Sequence, residues 1–389
     1  MSKILKLKVS ILTALIILIS NPVWFLWDIR FHIVIFLVFL LALCLFPRIK
    51  KGNNLLLMIK KTPVTGVFFM YFVVISSIIG GFQTYLLISA IIIFLHPLLT
   101  EKEKNKALKI VTKILSFIII VSLIPWIIHT FIYKLPMIGG YIEYYDTKGM
   151  NSVIENYILF IQVEHDFLIR FYSVFDEPGT LGTLSAFVLF GNNYNFKNKN
   201  NIIILLGTLP TFSIAFYILF ILGLFIYSFN RLKRIIIAVL STVTLSIIFY
   251  FLFNETETFK VSVIEKIQNI GASIQNRDSY YLDSYYDFFI NTPQALFGKG
   301  RSFLLSEAPI FTGQSYKFFI IEFGFVGLLL VFMVYLNLTK KKGIVHIGCL
   351  VLFFASFIQR PFILQPWQFL LFIIIGTSVL TRKKNIENA

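Results

Sequence analysis

Residues 201–229, NIIILLGTLPTFSIAFYILFILGLFIYSF, decide how this chain is arranged. One helix needs about 20 apolar residues to cross about 30 Å of hydrocarbon, and this run has 29. Pro210 interrupts it, and basic clusters flank it: Lys197 and Lys199 before, Arg231, Lys233 and Arg234 after. Lys and Arg collect at cytoplasmic ends of membrane helices. Both flanks therefore belong on one side, and the run must cross an even number of times. It reads as two short helices in a hairpin, or a pair of half-spans.

Comparable apolar runs lie near residues 9–27, 31–47, 64–81, 82–99, 110–129, 179–195, 235–253, 318–338, 343–359 and 365–380. With the hairpin they make about twelve segments with both termini cytoplasmic. A chain with 57% hydrophobic and 14% charged residues is no ordinary soluble globule. The expectation is one all-α, polytopic membrane domain over residues 1–389. Only the acidic residues test its sidedness independently, since Lys and Arg were used to orient it. Of the 19 acids, Glu101, Glu103 and Glu387 alone fall inside, leaving the inner face at +21 and the outer face at −5 of the net +16. The basic pI thus follows from topology, and no nucleic-acid partner is expected.

The N-terminus carries Lys3, Lys6 and Lys8 ahead of an apolar run ending at Asn21-Pro22, with no small-x-small cleavage site, and reads as a retained signal anchor. Cys44 and Cys349 both fall inside expected spans, so no disulfide framework is available. Most connections are short. The exceptions are two long outer loops, 130–178 and 254–317, the places where function concentrates. Ile154, Tyr157, Ile158 and Ile161 in the first, and Val263, Ile267, Ile270 and Ile274 in the second, recur at helical spacing and predict amphipathic helices at the membrane surface. No internal repeat of convincing period is visible.

Arginine is unevenly spread. The outer face holds Arg30, Arg170, Arg277, Arg301 and Arg360, where lysine would satisfy topology equally well. A planar guanidinium suits bidentate binding of phosphate or carboxylate in a partly dry site. Arg170-FYSVFDEP-Gly179 sets an arginine and two carboxylates where an outer loop enters a span, and charges there are costly. Pro178 suits the first helical position, leaving the amides of Gly179 and Thr180 to face an anion. Asp176 is the better capping residue of the two acids, which leaves Glu177 for other work. In the second loop, Tyr281 and Tyr285 are spaced to present flat faces to sugar rings or to the membrane interface. Gly298-Lys299-Gly300-Arg301 makes a tight basic turn that suits a phosphate. Metal-binding, paired-cysteine and Walker motifs are absent from the sequence, so neither cofactor nor metal is expected. The five histidines are scattered; Glu164-His165-Asp166 is the one acid–histidine cluster.

Arg170-xxxx-Phe175-x-Glu177-Pro-Gly179, the outer Arg277, the Phe-Gly-x-Gly turn at 297–300 and Glu322-FGFV-Gly327 opening the next span together resemble the O-antigen polymerase and ligase superfamily of membrane glycosyltransferases, over roughly residues 160–340. The ligase branch carries a histidine before the second glycine-rich entry. Thr312-Gly-Gln314-Ser-Tyr-Lys317 has none, which favours the polymerase branch. The resemblance implies a bacterial plasma (inner) membrane enzyme that joins undecaprenyl-diphosphate-linked oligosaccharide repeat units at the outer face into O-antigen or capsule, without metal or nucleotide. A flippase and a chain-length regulator are the partners it implies, beside membrane lipids. Glu177, Arg170, Arg277 and Arg301 become the expected catalytic set, and Asp176, Gly179, Tyr281, Tyr285, Lys299, Gln314 and Glu322 the substrate-binding set. The alternatives are a transporter or flippase of lipid-linked glycans, an O-antigen ligase, and an envelope scaffold.

Overall fold

A computed structural model describes residues 3–20, 29–50, 63–145, 151–163, 170–228, 279–307, 315–338, 344–359 and 362–387. The run near 235–253, the pattern from Val263 to Ile274, the Glu164-His165-Asp166 cluster, Arg277, Gln314 and Arg360 lie outside them.

The protein is mostly helical. Among the described residues three helices are long and apolar enough to cross a membrane, Phe31–Arg48, Glu101–Ile132 and Tyr316–Leu338. Shorter apolar ones are Thr65–Gly80, Thr84–Leu98, Pro178–Gly191, Ile214–Ser228, Ile347–Ile358 and Pro366–Gly376. Large apolar side chains stay exposed along them, Phe36, Phe39, Phe117, Leu329 and Ile358 among others, as expected of surfaces turned to lipid. These features mark a membrane protein.

In chain order the helices are α1 (Lys3–Ile19), α2 (Arg30–Lys50), α3 (Pro63–Phe68), α4 (Ser76–Gly80), α5 (Thr84–Leu95), α6 (Glu101–Ile127), α7 (Pro178–Gly191), α8 (Lys199–Thr208), α9 (Ile214–Ser228), α10 (Tyr280–Phe289), α11 (Gly300–Ser306), α12 (Tyr316–Leu338), α13 (Ile344–Gln359) and α14 (Pro366–Glu387). A wider π-helical turn, Phe69–Ile75, joins α3 to α4, and another, Ile128–Ile132, ends α6.

The centre is α7, PGTLGTLSAFVLFG, every residue of which is buried. A helix apolar all round must be surrounded. Small residues let its neighbours approach: a Cβ on Gly182 would lie 2.8 Å from Ser213 Oγ, and one on Gly191 would lie 2.8 Å from Ile375 Cγ1. The 201–229 run does split, at Leu209–Thr211, with Phe212 left-handed at φ 46°. Asn201 donates to Asn195 O just beyond the C-terminal end of α7, while the Thr208 hydroxyl meets Ser185 Oγ at 3.0 Å, so α8 runs back along α7. Ser213 and Phe216 meet Gly182, and Gly223 meets Tyr194 and Phe190, so α9 runs the same way as α7. The two halves are therefore antiparallel. Their reversal lies at the N-terminal end of α7, and Lys199 and Ser228 lie at the other.

The first long loop, 130–178, corrects the sequence reading. Instead of an amphipathic helix it forms a three-stranded antiparallel sheet, β1 (Tyr141–Tyr145), β2 (Asn151–Asn156) and β3 (Ile161–Val163), with Tyr141 opposite Glu155 and Ile154 opposite Val163. The helical spacing of Ile154, Tyr157, Ile158 and Ile161 arises because two strands are joined by a tight turn. Asn156 Oδ1 accepts from Ile158 N at 2.8 Å, Tyr157 N donates to Phe160 O at 3.0 Å, and Ile158 stands 49% exposed at φ 67°. Ile154 and Ile161 pack on Tyr172, and β-branched residues suit that pleated surface. The expectation of an all-α chain is corrected accordingly. The helix expected over residues 263–274 in the second loop lies outside the described residues; a separate amphipathic helix, α10, buries Leu282, Tyr286 and Phe289 and exposes Tyr280, Tyr281 and Phe288.

Candidate functional site

Two polar centres stand out, one at the entry to the buried helix α7 and one where the turn before α11 meets the kink of α12. The first is the segment leading into α7. Phe171, Tyr172, Ser173 and Phe175 are all buried, so this segment plugs the bundle. Phe171 N donates to Pro210 O at 3.0 Å, and Ser173 Oγ donates to Ser122 Oγ at 2.9 Å. Phe171 packs on Trp126, and Ile161 N donates to Ser173 O at 2.9 Å, tying the sheet to the same segment. Arg170 thereby reaches the hairpin tip, where its Nε donates to Thr211 O at 3.2 Å. That edge-on hold turns one of five guanidinium donors inward.

Pro178 takes the first helical position, as the sequence predicts. The capping assignment changes. The N-cap residue is Glu177, in extended backbone at φ −140° and ψ 141°, and its side chain makes no capping bond. The Thr180 and Leu181 amides reach the Glu177 carbonyl oxygen at 3.1 and 3.4 Å, so Thr180 does not offer an unpaired amide to an anion. Asp176 and Gly179 flank this cap.

The second centre joins residues far apart in sequence. Gly298 and Gly324 have positive φ, and a Cβ on either would collide with the backbone of the other segment: Gly298 with Glu322 O, and Gly324 with Leu296 O. Gly324, at φ 66°, also breaks α12. Lys299 N donates to Ile321 O at 2.7 Å, and the Tyr71 hydroxyl donates to Phe323 O at 2.6 Å, with Phe297 O at 3.1 Å. The π-helical turn that carries Tyr71 aims it at this junction; such turns recur at functional sites. In this frame Arg301 Nη1 lies 3.7 Å from Glu322 Oε2, and Gln83 Nε2 donates to Glu322 Oε1 at 2.7 Å.

The glycines of the basic turn thus serve close backbone approach. Lys299 Nζ lies 4.4 Å from the Phe303 ring centre and 5.3 Å from that of Tyr285, so its charge rests on aromatic faces. Tyr285 stacks on Phe289, while Tyr281 is 63% exposed. Lys317 pairs with Asp283 at 2.6 Å and fastens α10 to the start of α12. Burial, then Tyr316 and Asp287, push the neighbouring Tyr286 phenol up to about 12.

Arg170 and Glu177 share the first centre, Arg301, Lys299, Tyr285 and Glu322 the second. Sequence reasoning missed Tyr71 and Gln83. Their one local signal is polarity within an apolar run. Among the described residues no group of three His, Cys, Asp or Glu side chains is placed to hold a metal ion. In comparisons with known proteins no family model, curated protein or solved structure matches this chain.

Proposed function

We propose that this chain is a polymerase of undecaprenyl-diphosphate-linked oligosaccharides, crossing the bacterial plasma membrane about twelve times with both termini inside and both polar centres at the outer face. In this reading a hydroxyl oxygen of one carrier-linked repeat attacks the anomeric carbon of another. The bond from that carbon to the carrier diphosphate breaks, and the diphosphate leaves with the electron pair. Glu177 accepts the hydroxyl proton. Arg170, Arg277 and Arg301 bind the charge that develops on the leaving group.

One observation carries the reading: Arg170, in the segment leading into buried α7, and Arg301, at the start of α11, each turn one edge of the guanidinium to protein, Arg170 Nε to Thr211 O and Arg301 Nη1 to the Glu322 carboxylate. A fork fixed on one edge suits an anion on the other. Tyr281, exposed on α10, supplies a flat face of the kind that stacks on sugars.

The test is polymerisation of purified lipid-linked repeat units by the purified protein. Wild type is expected to build polymer, and alanine at Arg170, Arg277 or Arg301 is expected to lose on the order of 10²-fold or more in rate, with lysine rescuing poorly. Normal polymer from all three alanine variants, each inserted at wild-type level, would remove the proposed chemistry. Movement of intact repeat units across the bilayer without polymer would make the chain a flippase.

A further inference from the structure

We infer that Glu322 and Gln83 are positioning residues, which hold one edge of the Arg301 guanidinium so that its other edge faces the diphosphate; the inference rests on the function proposed above. The sequence reading placed Glu322 among the substrate ligands. Its burial argues otherwise: the side chain is 7% exposed, while that of Arg301 is 44% exposed. Both carboxylate oxygens already face protein, Oε1 the Gln83 amide at 2.7 Å and Oε2 the Arg301 Nη1 at 3.7 Å. A buried carboxylate needs such partners, and here the two come from separate stretches of chain, neither of them its own.

The backbone leaves this arrangement little slack. Gly300 packs on Gly80, and Ser302 Oγ donates to Ile79 O at 3.3 Å, anchoring α11 to the end of α4. Lys299 N, two residues before Arg301, donates to the carbonyl of Ile321, one residue before Glu322. The arginine and its carboxylate are thus fixed to each other through main chain. At 3.7 Å their contact is longer than a charge-assisted hydrogen bond of about 2.8 Å, so Glu322 steers the fork without engaging it face-on. Gln83, drawn from the turn between α4 and α5, orients the carboxylate. The substrate then meets an arginine whose orientation is set before it arrives, and the cost of ordering a long side chain falls outside the binding step.

The experiment is a double-mutant cycle on the full-length protein in nanodiscs. Two readouts are needed: binding of sugar-free undecaprenyl diphosphate, and kcat and KM for purified lipid-linked repeat units. Glu322→Gln is expected to lower kcat by roughly 10- to 100-fold, with the thermal midpoint close to wild type. In an Arg301→Ala background the same substitution should have almost no further effect, because the residue it positions is gone. Gln83→Ala, at a less buried position, should lower kcat several-fold and show the same dependence on Arg301. It decides the matter should Glu322→Gln fail to insert. Wild-type kcat in Glu322→Gln or, failing its insertion, in Gln83→Ala overturns the inference, as do losses that multiply in the double variant; either result leaves the polymerase reading standing. A wild-type protein that neither binds the carrier nor builds polymer overturns both.

Discussion

Glu177 carries the sharpest question about any single residue. It occupies the N-cap of α7, yet that helix start is served by its carbonyl oxygen and not by its carboxylate. Glu177→Gln is expected to abolish polymer formation at wild-type protein level in the membrane. Asp176→Asn should keep substantial activity, because the acid in the proposed chemistry is its neighbour. Polymer assays beside thermal unfolding in detergent decide; full activity in Glu177→Gln would make the motif a structural helix entry. Pro178 could be read from sequence because its fixed φ and missing N–H are local properties. The partners of Glu322 could not. Gln83 lies 239 residues away and Tyr71 meets Phe323 from 252 residues away, and no local pattern encodes such pairings.

Among the elements, the hairpin was legible and the sheet was not. Length, Pro210 and two basic flanks all pointed to a reversal in 201–229, and three independent cues seldom agree by accident. In the first loop a single cue, apolar spacing over eight residues, matched a helix by coincidence, a known ambiguity of short apolar runs. The antiparallel course of α8 and α9 leads to a topological expectation. Tags at Lys199 and Arg231 should both be reached from the cytoplasm, and tags near Lys148 and Ser273 only from outside. Labelling of intact cells and of inverted vesicles reads this out. An outward Arg231 tag would overturn the sidedness of both centres.

For the whole molecule, the opposite end of the bundle matters to stability. Arg48, near the end of α2, binds Glu103 with both terminal nitrogens, at 2.8 and 2.9 Å, and also donates to Leu98 O at 2.5 Å. Lys8 on α1 lies 4.0 Å from the same carboxylate. Glu103 further accepts from the Thr100 backbone N–H in a capping box that starts α6. Three helices thus meet at one acid with no exposure to solvent. Glu103→Gln would remove the carboxylate that Arg48 and Lys8 share, at a cost of ~1.5–3 kcal/mol. The exposed Glu101→Gln should cost no more than about 0.5 kcal/mol. Thermal unfolding in detergent compares them, and equal midpoints would dismiss the cluster as a fastening. The sequence showed Glu103 only as one of three inner acids, since burial is a property of the assembled helices.

The tip of the hairpin holds the Arg170 segment through the carbonyl oxygens of Pro210 and Thr211. Every amino acid supplies a carbonyl, so what the tip must preserve is the path of its chain more than its letters. Inserting or deleting one residue between Leu209 and Ser213 would carry both oxygens away from Arg170. Many side-chain exchanges there would leave them in place. Loop length at this turn is accordingly a better marker of an intact site than residue identity, and a gap in an alignment at Pro210 would say more than a mismatch.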